Sequence, residues 1–320
     1  MSCNLKTLAF LSLAVTTPMA AQAADVVIPD PNYISGRTTA FAVKAVIEEA
    51  LGLEVEMITT TAVPVIFEAM ARGNGEIDIW TETWLPNQSG MTTKYVDEEK
   101  TVSMSEKSFE ALNGYCVTKV VAEEHGITSV FDLANPDNAA LFDSNGDGKG
   151  EIWIGPQGWQ STNTETVRAR DYGFADFFEL QSTDEAVATA GLDRAAKANK
   201  PWVGYCYGPH QNFAMYDIVM LEEPAHDPAN FVMVQPAEDP DWMAKSRVAS
   251  AYADTTVHIS WSSSLSERQP ELVKLLQNIQ LTAEDVNAWS LAVVNGEEPA
   301  AVTAAWVKAN PELIASWMAE

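Results

Sequence analysis

The chain has 320 residues, of which 47% are apolar and 20% charged, and its 45 acidic side chains outnumber 19 lysines and arginines to give a formal net charge of −26. This length and composition exclude a disordered or fibrous chain and are typical of about two globular domains. A strongly negative surface repels nucleic acid and anionic membranes, so we expect neither as a partner. The partners that remain compatible with this charge are neutral, zwitterionic or cationic solutes, metal cations and other proteins.

The first 23 residues have the pattern of an export signal. Lys6 precedes an apolar run over residues 8–15, and Ala21-Gln22-Ala23 offers small side chains for cleavage. The run is too short to span a bilayer. A buried N-terminal helix is the alternative, but the segment carries no acid in a strongly acidic protein. We therefore expect export with cleavage near Ala23, and no insertion of the mature protein into the membrane.

The next part of the chain alternates between strands and helices. Apolar patterning predicts strands at 26–28, 53–57 and 77–80, and helices at 38–51 and 62–71. Strands that alternate with helices in this way predict a parallel sheet covered by helices.

A second set of elements begins near Gly114. Strands are predicted at 115–120, 152–154 and 202–207, and helices at 130–134, 163–172 and 182–199, the last opened by a capping box over Ser182–Glu185. Beyond residue 270 the pattern is helical, with starts at Thr282, Pro299 and Pro311. The sequence therefore predicts two α/β lobes, rich in parallel strands, with a helical tail and a ligand cleft between the lobes.

Trp80, Glu82 and Trp84 recur at a spacing of two residues. If the third strand runs that far, all three side chains lie on one face. Two aromatic rings beside an acid suit a cationic ligand, because a ring face is electron-rich. Two core tryptophans with a surface glutamate between them are the alternative.

Five ordered segments resemble one family, the periplasmic substrate-binding proteins of glycine betaine, choline and proline-betaine ABC transporters. The segments are Asp30-Pro31-Asn32-Tyr33, a Gly-Glu-Ile-Asp-Ile-Trp-Thr-Glu-Thr-Trp-Leu-Pro stretch at residues 75–86, Gly114-Tyr115-Cys116-Val117, Ile154-Gly155-Pro156-Gln157-Gly158-Trp159, and Tyr205-Cys206-Tyr207-Gly208-Pro209-His210. The tail pattern with Trp306, Asn310-Pro311 and Trp317 is also similar, so the resemblance covers nearly the whole mature chain.

The resemblance implies an aromatic cage for a methylated ammonium group. Carried over by position, its members are Tyr33, Trp84, Tyr115, Trp159 and Tyr207, with Trp80 and Glu82 as further candidates. Two positions depart from the family pattern. Gln88 stands where some members place a histidine that helps to hold the ligand carboxylate, and Ser35 stands where choline binders tend to have aspartate.

The same resemblance implies a two-lobed periplasmic binding protein that performs no chemistry. Its lobes would be residues 24–112 with 255–320, and residues 113–254, hinged near Gly114 and near residues 253–257. It would act as a monomer that captures glycine betaine, choline, trimethylamine N-oxide or a similar solute for a membrane permease. It would need no cofactor. An exported, calcium-stabilised hydrolase whose tryptophans stack on sugars is the alternative, and a sensor module that uses the same cleft is a third.

Two cysteines follow the export signal, Cys116 and Cys206, each after a Gly-Tyr step. Paired cysteines are common in oxidising compartments, so a disulfide is one expectation. Two small buried apolar side chains are the other.

An acidic loop at residues 143–151 resembles the start of a calcium-binding loop. Asp143, Asn145 and Asp147 supply oxygens at positions one, three and five, with Gly148 at position six. Ile154 stands where such loops have a bidentate glutamate, and Glu151 could replace it. A structural calcium site is therefore one interpretation, and a metal-free turn of Asp, Asn and Gly is the other.

Overall fold

The computed structural model describes residues 24–60 and 62–319, so the predicted export signal at residues 1–23 lies outside the described residues. The strands are β1 (Val26–Asp30), β2 (Val55–Thr59), β3 (Ile79–Leu85), β4 (Val102–Thr118), β5 (Gly150–Trp153), β6 (Phe178–Gln181), β7 (Val203–Gly208), β8 (Ile218–Met220), β9 (Phe231–Val232), β10 (Arg247–Val248) and β11 (Thr255–Ser262). The helices are α1 (Ile34–Leu51), α2 (Val63–Arg72), α3 (Ser89–Thr92), α4 (Lys119–His125), α5 (Pro136–Ala139), α6 (Gln160–Asp171), α7 (Glu185–Lys197), α8 (Asn212–Met215), α9 (Trp242–Lys245), α10 (Leu265–Arg268), α11 (Pro270–Asn278), α12 (Ala283–Val294), α13 (Pro299–Ala309) and α14 (Pro311–Ala319). Among the helices described, none is long and apolar enough to cross a membrane.

The first strands and helix form the predicted crossover unit, with β1 and β2 paired in parallel and Val26 opposite Val55. Helix α1 begins at Ile34, one turn earlier than predicted, and Tyr33 is its N-cap residue. Gly36 in the first turn permits this start, because a Cβ atom there would overlap the Tyr33 ring. A single glycine thus allows an aromatic side chain to lie against the end of its own helix.

The main sheet is mixed, with strand order β3-β11-β4-β7-β5-β6 and β8 paired to β4. Strand β5 is parallel to β6 and β7, whereas β11 and β4 run antiparallel to their neighbours. Strand β4 has 17 residues, far more than the predicted strand that began at Tyr115. It pairs with β11 as far as Ala111 and with β7 from Leu112 onward. One continuous strand therefore joins the two halves of the sheet.

Strand β11 was not predicted, because its sequence is rich in hydroxyl groups. It lies between β3 and β4, so both of its edges are paired. The Ser260 and Thr83 hydroxyls are 2.7 Å apart and fully buried, so they satisfy each other inside the sheet.

Three apolar clusters form the interior. The first packs α1 and β1 against the C-terminal helices, the second surrounds β5 and α6, and the third lies under α2. The first cluster also contains Trp84, Tyr205 and Tyr207, which border the cavity described below. The cavity thus adjoins the main core.

The predicted capping box at Ser182–Glu185 is wrong. Helix α7 begins at Glu185, after Asp184, and Asp184 makes no side-chain cap hydrogen bond. The Glu185 carboxylate instead accepts hydrogen bonds from Tyr207 and His210 on and beside β7. A glutamate with a typical capping position is therefore used in a tertiary contact.

A disulfide joins Cys116 of β4 to Cys206 of β7, with their Cα atoms 5.7 Å apart. In the antiparallel register, Cys116 lies opposite Gly204 and Cys206 lies opposite Gly114. The two sulfurs meet diagonally across the strands, with a glycine opposite each cysteine.

Candidate functional site

A cavity of about 50 Å³ lies where helices α1 and α6 begin and strands β3 and β7 end. Its lining residues are Tyr33, Val63, Trp80, Trp84, Asn87, Gln88, Trp159, Gln160, Ser161, Tyr205 and Tyr207. Six of the eleven are aromatic, so π-faces dominate its surface.

Two of the aromatic walls come from helix ends. Tyr33 is the N-cap residue of α1 and Trp159 that of α6, and neither makes a side-chain cap hydrogen bond. Ser, Thr, Asp and Asn are the usual N-cap residues, so an aromatic side chain here forgoes local stabilisation. Their ring centroids are 5.1 Å apart, with the rings close to perpendicular.

The other walls come from strands. Trp84 lies near the end of β3 and Tyr207 near the end of β7, and their ring centroids are 5.6 Å apart. Tyr207 also lies 5.6 Å from Trp159 and 6.4 Å from Tyr33, again edge to face. These four rings, all predicted from the resemblance, form one contiguous group, which we call the aromatic box. Its members come from residues 24–112 and 113–254 alike.

Tyr115 does not lie in the aromatic box. It is opposite Tyr205 in the strand register, further from the cavity than the Asn113–Tyr207 pair. Its ring packs 5.6 Å from Phe174 and beneath the Arg168 guanidinium, and it is fully buried. Because α6 and the chain that follows it cover this part of the sheet, Tyr115 belongs to the core.

Tyr205 takes the place expected of Tyr115. It lines the cavity and its ring lies 6.0 Å from that of Tyr207, nearly parallel to it. Its hydroxyl donates to Asn113 Oδ1. The sequence contained the necessary pattern, because Tyr205 and Tyr207 alternate on a predicted strand and therefore share a face.

The Trp80–Glu82–Trp84 series lies on β3, as its spacing predicted, and all three residues are buried. Trp80 lines the cavity and donates from Nε1 to Gln88 Oε1 at 3.3 Å. Gln88 Nε2 in turn donates to the Glu82 carbonyl at 2.8 Å. Gln88, which stands where some family members have histidine, is thus held by two hydrogen bonds to β3.

Glu82 lies behind the cavity wall. Its Oε2 accepts from Trp84 Nε1 at 2.8 Å and from the Tyr33 hydroxyl at 3.3 Å, whereas its buried Oε1 has no partner. Burial raises the pKa of this carboxyl to about 7, although the hydrogen bonds from Trp84 and Tyr33 oppose that shift. Burial and the neighbouring Glu82 raise the pKa of Tyr33 well above its usual range, so the phenol remains a donor.

Glu185 is a second carboxylate behind the box. Its Oε1 accepts from the Tyr207 hydroxyl, and His210 Nε2 lies 3.0 Å from the same oxygen. Burial, followed by the nearby Glu185, raises the pKa of Tyr207 well above its usual range, so this phenol is also a donor. Each side of the box is therefore backed by a buried acid.

The cavity favours positive charge. Among the described residues that line it, none is lysine, arginine or histidine. The two acids behind it lie in a region of low dielectric constant, where charges interact strongly.

The cavity lining also contains buried polar groups without partners, which we call the polar wall and whose amides the sequence interpretation missed. The buried amide of Gln160 has no partner for either Nε2 or Oε1, and the same is true of Asn87 Oδ1 and Trp159 Nε1. All three residues line the cavity. Unpaired buried polar atoms are costly, so these groups could pair with polar atoms of a bound molecule.

In the acidic loop at residues 143–151, side-chain oxygens accept hydrogen bonds from the backbone of the loop itself. Asp143 Oδ1 and Oδ2 accept from the backbone N–H groups of Gly146 and Gly148, at 2.6 and 2.9 Å. Asn145 and Asp147 cap backbone groups in the same way, and Glu151 Oε2 accepts from Ser144 N. In the described part of the chain, no three His, Cys, Asp or Glu residues are grouped to hold a metal ion. The turn interpretation therefore fits this loop.

Comparison with known proteins identifies the family. Residues 24–309 match the family model for the substrate-binding domain of ABC-type glycine betaine transport systems. The chain belongs to this family. Its members are solute-binding proteins rather than enzymes, which removes the hydrolase alternative.

Curated relatives are distant. The glycine betaine/proline betaine-binding periplasmic protein of Escherichia coli is 24% identical over 218 residues, which cover 66% of this chain and 64% of that protein. The glycine betaine/carnitine transport binding protein GbuC of Listeria monocytogenes is 28% identical over 142 residues, which cover 44% of this chain and 40% of that protein. The matched region is thus less than two thirds of either relative.

Solved structures show the fold. An ABC-transporter choline-binding protein in complex with choline matches with a TM-score of 0.72 and 23% identity, over 92% of this chain and 91% of that chain. Lactococcal OpuAC, closed and complexed with glycine betaine, matches with a TM-score of 0.69 and 20% identity, over 92% and 98% of the two chains. The chain therefore has the two-lobed fold of periplasmic binding proteins, as predicted.

Proposed function

We propose that this family member is the solute-capture component of an ABC importer and binds a quaternary-ammonium or related methylated solute in its aromatic box. The convergence of Tyr33, Trp84, Trp159 and Tyr207 from distant parts of the sequence carries the proposal, with Tyr205 as a fifth ring. A methylated cation among such rings gains about 2 kcal/mol or more when it is desolvated. The absence of a positive side chain from the described cavity lining fits the same ligand class.

The polar wall would receive the other end of the solute. Gln160 lies in the first turn of α6, where no side chain caps the helix. The first N–H groups of a helix are free to bind an electron-rich oxygen. A hydroxyl, an N-oxide or a carboxylate could occupy this position, so glycine betaine, choline and trimethylamine N-oxide are all candidates.

Capture would use closure of two lobes, residues 24–112 with 255–320 and residues 113–254. The change of β4 partner between Ala111 and Leu112 supports this division, as does the start of β11 at Thr255, opposite Ala111. We place the hinge at these adjacent positions on β4 and β11.

The cellular setting follows from the sequence and the relatives. The pattern of residues 1–23 and the periplasmic relatives support export to the periplasm and delivery of the solute to a membrane permease. We also propose that the protein acts as a monomer, as the family resemblance implies.

A solute panel tests the function. Protein comprising residues 24–320 is melted with glycine betaine, choline, proline betaine, trimethylamine N-oxide or dimethylsulfoniopropionate, and calorimetry then measures affinity. A solute at a hundred times its Kd stabilises the fold by about 2.7 kcal/mol, which raises Tm measurably. The control for each trimethylammonium solute is its tert-butyl analogue, in which a neutral carbon replaces the nitrogen.

We expect at least one member of the panel to raise Tm and its tert-butyl analogue to have a much smaller effect. Recovery of the solute chemically unchanged is part of the expected result. If no member of the panel binds, or if the neutral analogue binds as tightly as its parent, the proposed function is wrong.

A further inference from the structure

Tyr207 is the central ring of the aromatic box. It contacts Trp84, Trp159 and Tyr33, each nearly perpendicular to it. Any rotation of this ring would disturb three contacts at once. The groups that hold Tyr207 therefore control the shape of the box.

A buried chain of hydrogen bonds holds the Tyr207 hydroxyl. Glu185 Oε1 accepts from that hydroxyl, and His210 Nε2 lies 3.0 Å from the same oxygen. The backbone N–H of Asn212 donates to His210 Nδ1 at 3.1 Å, so the proton of the neutral imidazole lies on Nε2 and is donated to Glu185. Both His210 and Glu185 are almost fully buried.

The charge of Glu185 is not cancelled by a stronger cation. In the described residues, the basic side chain next to its carboxylate is this neutral His210, and no lysine or arginine lies within ion-pair distance. Its position in the first turn of α7 favours a negative charge, because the helix N-terminus is partly positive. A carboxylate in this setting accepts a strong, charge-assisted hydrogen bond from the phenol.

From this geometry we infer that Glu185 is a positioning residue for solute recognition: it fixes the Tyr207 ring and makes its face more electron-rich, which favours a cationic solute over a neutral one of equal shape. This inference rests on the proposed function and extends it. Glu185 does not line the aromatic cavity itself, so it acts through Tyr207. The sequence placed it in a capping box, which explains why its role was not predicted.

The test compares Glu185→Gln, which keeps shape and an acceptor oxygen but removes the charge, with Tyr207→Phe and with the double variant. Choline and glycine betaine, each beside its tert-butyl analogue, are titrated by calorimetry, and ligand-free unfolding is measured for every protein. Glu271→Gln is the matched control, because Glu271 also lies in the first turn of a helix, α11, but is exposed and does not line the cavity.

We expect Glu185→Gln to weaken binding of the cationic solute about tenfold, as fits the loss of a charge-assisted contact, and to change binding of the neutral analogue much less. The double variant should bind about as weakly as the weaker single variant, since both changes break one link. If Glu185→Gln does not fold, Tyr207→Phe alone must show the same discrimination between cation and neutral analogue.

Equal losses for the cationic and neutral ligands would overturn the inference, because they would mean that Glu185 only supports the fold. So would additive losses in the double variant. If the unaltered protein and Glu185→Gln bind the solute equally tightly, the positioning role of Glu185 is wrong, while the proposed function stands. If the unaltered protein binds nothing in the panel, the proposed function fails and this inference falls with it.

Discussion

Trp159 offers a test of whether a box residue serves binding or folding. It is only half-buried, and its indole N–H has no partner. We expect Trp159→Ala to weaken solute binding about thirtyfold, because a cation–π face worth about 2 kcal/mol is lost, with little change in the free energy of unfolding without solute. Phenylalanine should restore part of the affinity and leucine less. Calorimetric titration and ligand-free unfolding measure the two effects.

Trp317 is the matched control for this experiment, because it is a buried tryptophan of the main core that does not line the cavity. Trp317→Ala should cost about 3–5 kcal/mol of stability, while the folded fraction binds normally. Trp84→Ala should fall between the two, since Trp84 lines the box and also donates to Glu82. Normal binding by a destabilised Trp159→Ala protein would mean that Trp159 is a core residue.

Glu82 should make stability depend on pH. Its pKa is about 7 when folded, against 4.5 as a free side chain. Between these values the folded protein holds a proton that the unfolded chain has released, so stability falls as pH rises and levels off above about pH 7, a total of roughly 3 kcal/mol. Glu82→Gln should remove this slope, so the variant gains stability relative to the unaltered protein from pH 4.5 to 7. Urea unfolding of the ligand-free protein measures the difference.

Glu110, an exposed glutamate on β4, is the control for that measurement. The free energy of unfolding of Glu110→Gln should depend on pH in the same way as that of the unaltered protein. Parallel profiles for Glu82→Gln and the unaltered protein would show that the Glu82 pKa is not raised by folding.

At the residue scale, most of the rings proposed from the sequence lie together, but the residues that support them were not proposed. Tyr33, Trp84, Trp159 and Tyr207 were found through local motifs, each of which lies within a few residues along the chain. Tyr115 was assigned to the cage, but it is buried beneath α6. A local pattern does not show which helix packs on which strand. Glu185 was missed because its contacts lie more than twenty residues away along the chain. Asn87 and Gln160 were missed because no local pattern marks an unpaired amide.

The β4–β7 pair is the element for which a covalent bond should matter most. The disulfide between Cys116 and Cys206 spans 90 residues. In the chain-entropy model, closing a loop of that length stabilises the fold by about 4–5 kcal/mol. The variant with both cysteines changed to serine should lose a large part of this, seen as a lower denaturant midpoint. Thiol titration of the unfolded, unreduced protein from residue 24 onward should find no free thiol, and two free thiols would refute the bridge.

The loop at residues 143–151 should be indifferent to metal. Asp143 already accepts two backbone hydrogen bonds, and its neighbours cap the same turn. We expect a chelator to leave Tm unchanged and elemental analysis to find no stoichiometric calcium. Asp143→Ala, in contrast, should lower Tm modestly, because it leaves two N–H groups without acceptors. A fall in Tm with chelator that added calcium reverses would restore the calcium interpretation.

At the element scale, predictions succeeded where apolar periodicity was strong. The β1–α1–β2 unit appeared with its helix one turn longer, and Thr282 caps α12 as predicted, accepting from Asp285 N at 3.1 Å. The first part of β4 and all of β11 were missed. Both contain hydroxyl and charged side chains that pair within the sheet or face solvent, so their sequences do not alternate as strands usually do.

At the scale of the whole molecule, solute binding should make the protein more compact. The aromatic box draws on both proposed lobes, so a bound solute would hold them together. We expect the radius of gyration, measured by small-angle X-ray scattering, to fall when the solute found in the panel is added. The radius of gyration of Trp159→Ala should not fall when the solute concentration is too low to occupy its weakened site. An unchanged radius with saturated solute would mean that the lobes do not close on binding.

Strand β4 sets the kind of motion that such closure can use. Its hydrogen-bonding partner changes from β11 to β7 between adjacent residues, Ala111 and Leu112, so the crossing strand has no unpaired gap at this point. A ribbon paired on both sides of a junction resists shear, because sliding would break a ladder of bonds at once, but it can twist with little loss of bonding. The two proposed lobes should therefore move apart by rotation rather than by translation. The rotation axis should lie near the disulfide-linked strands.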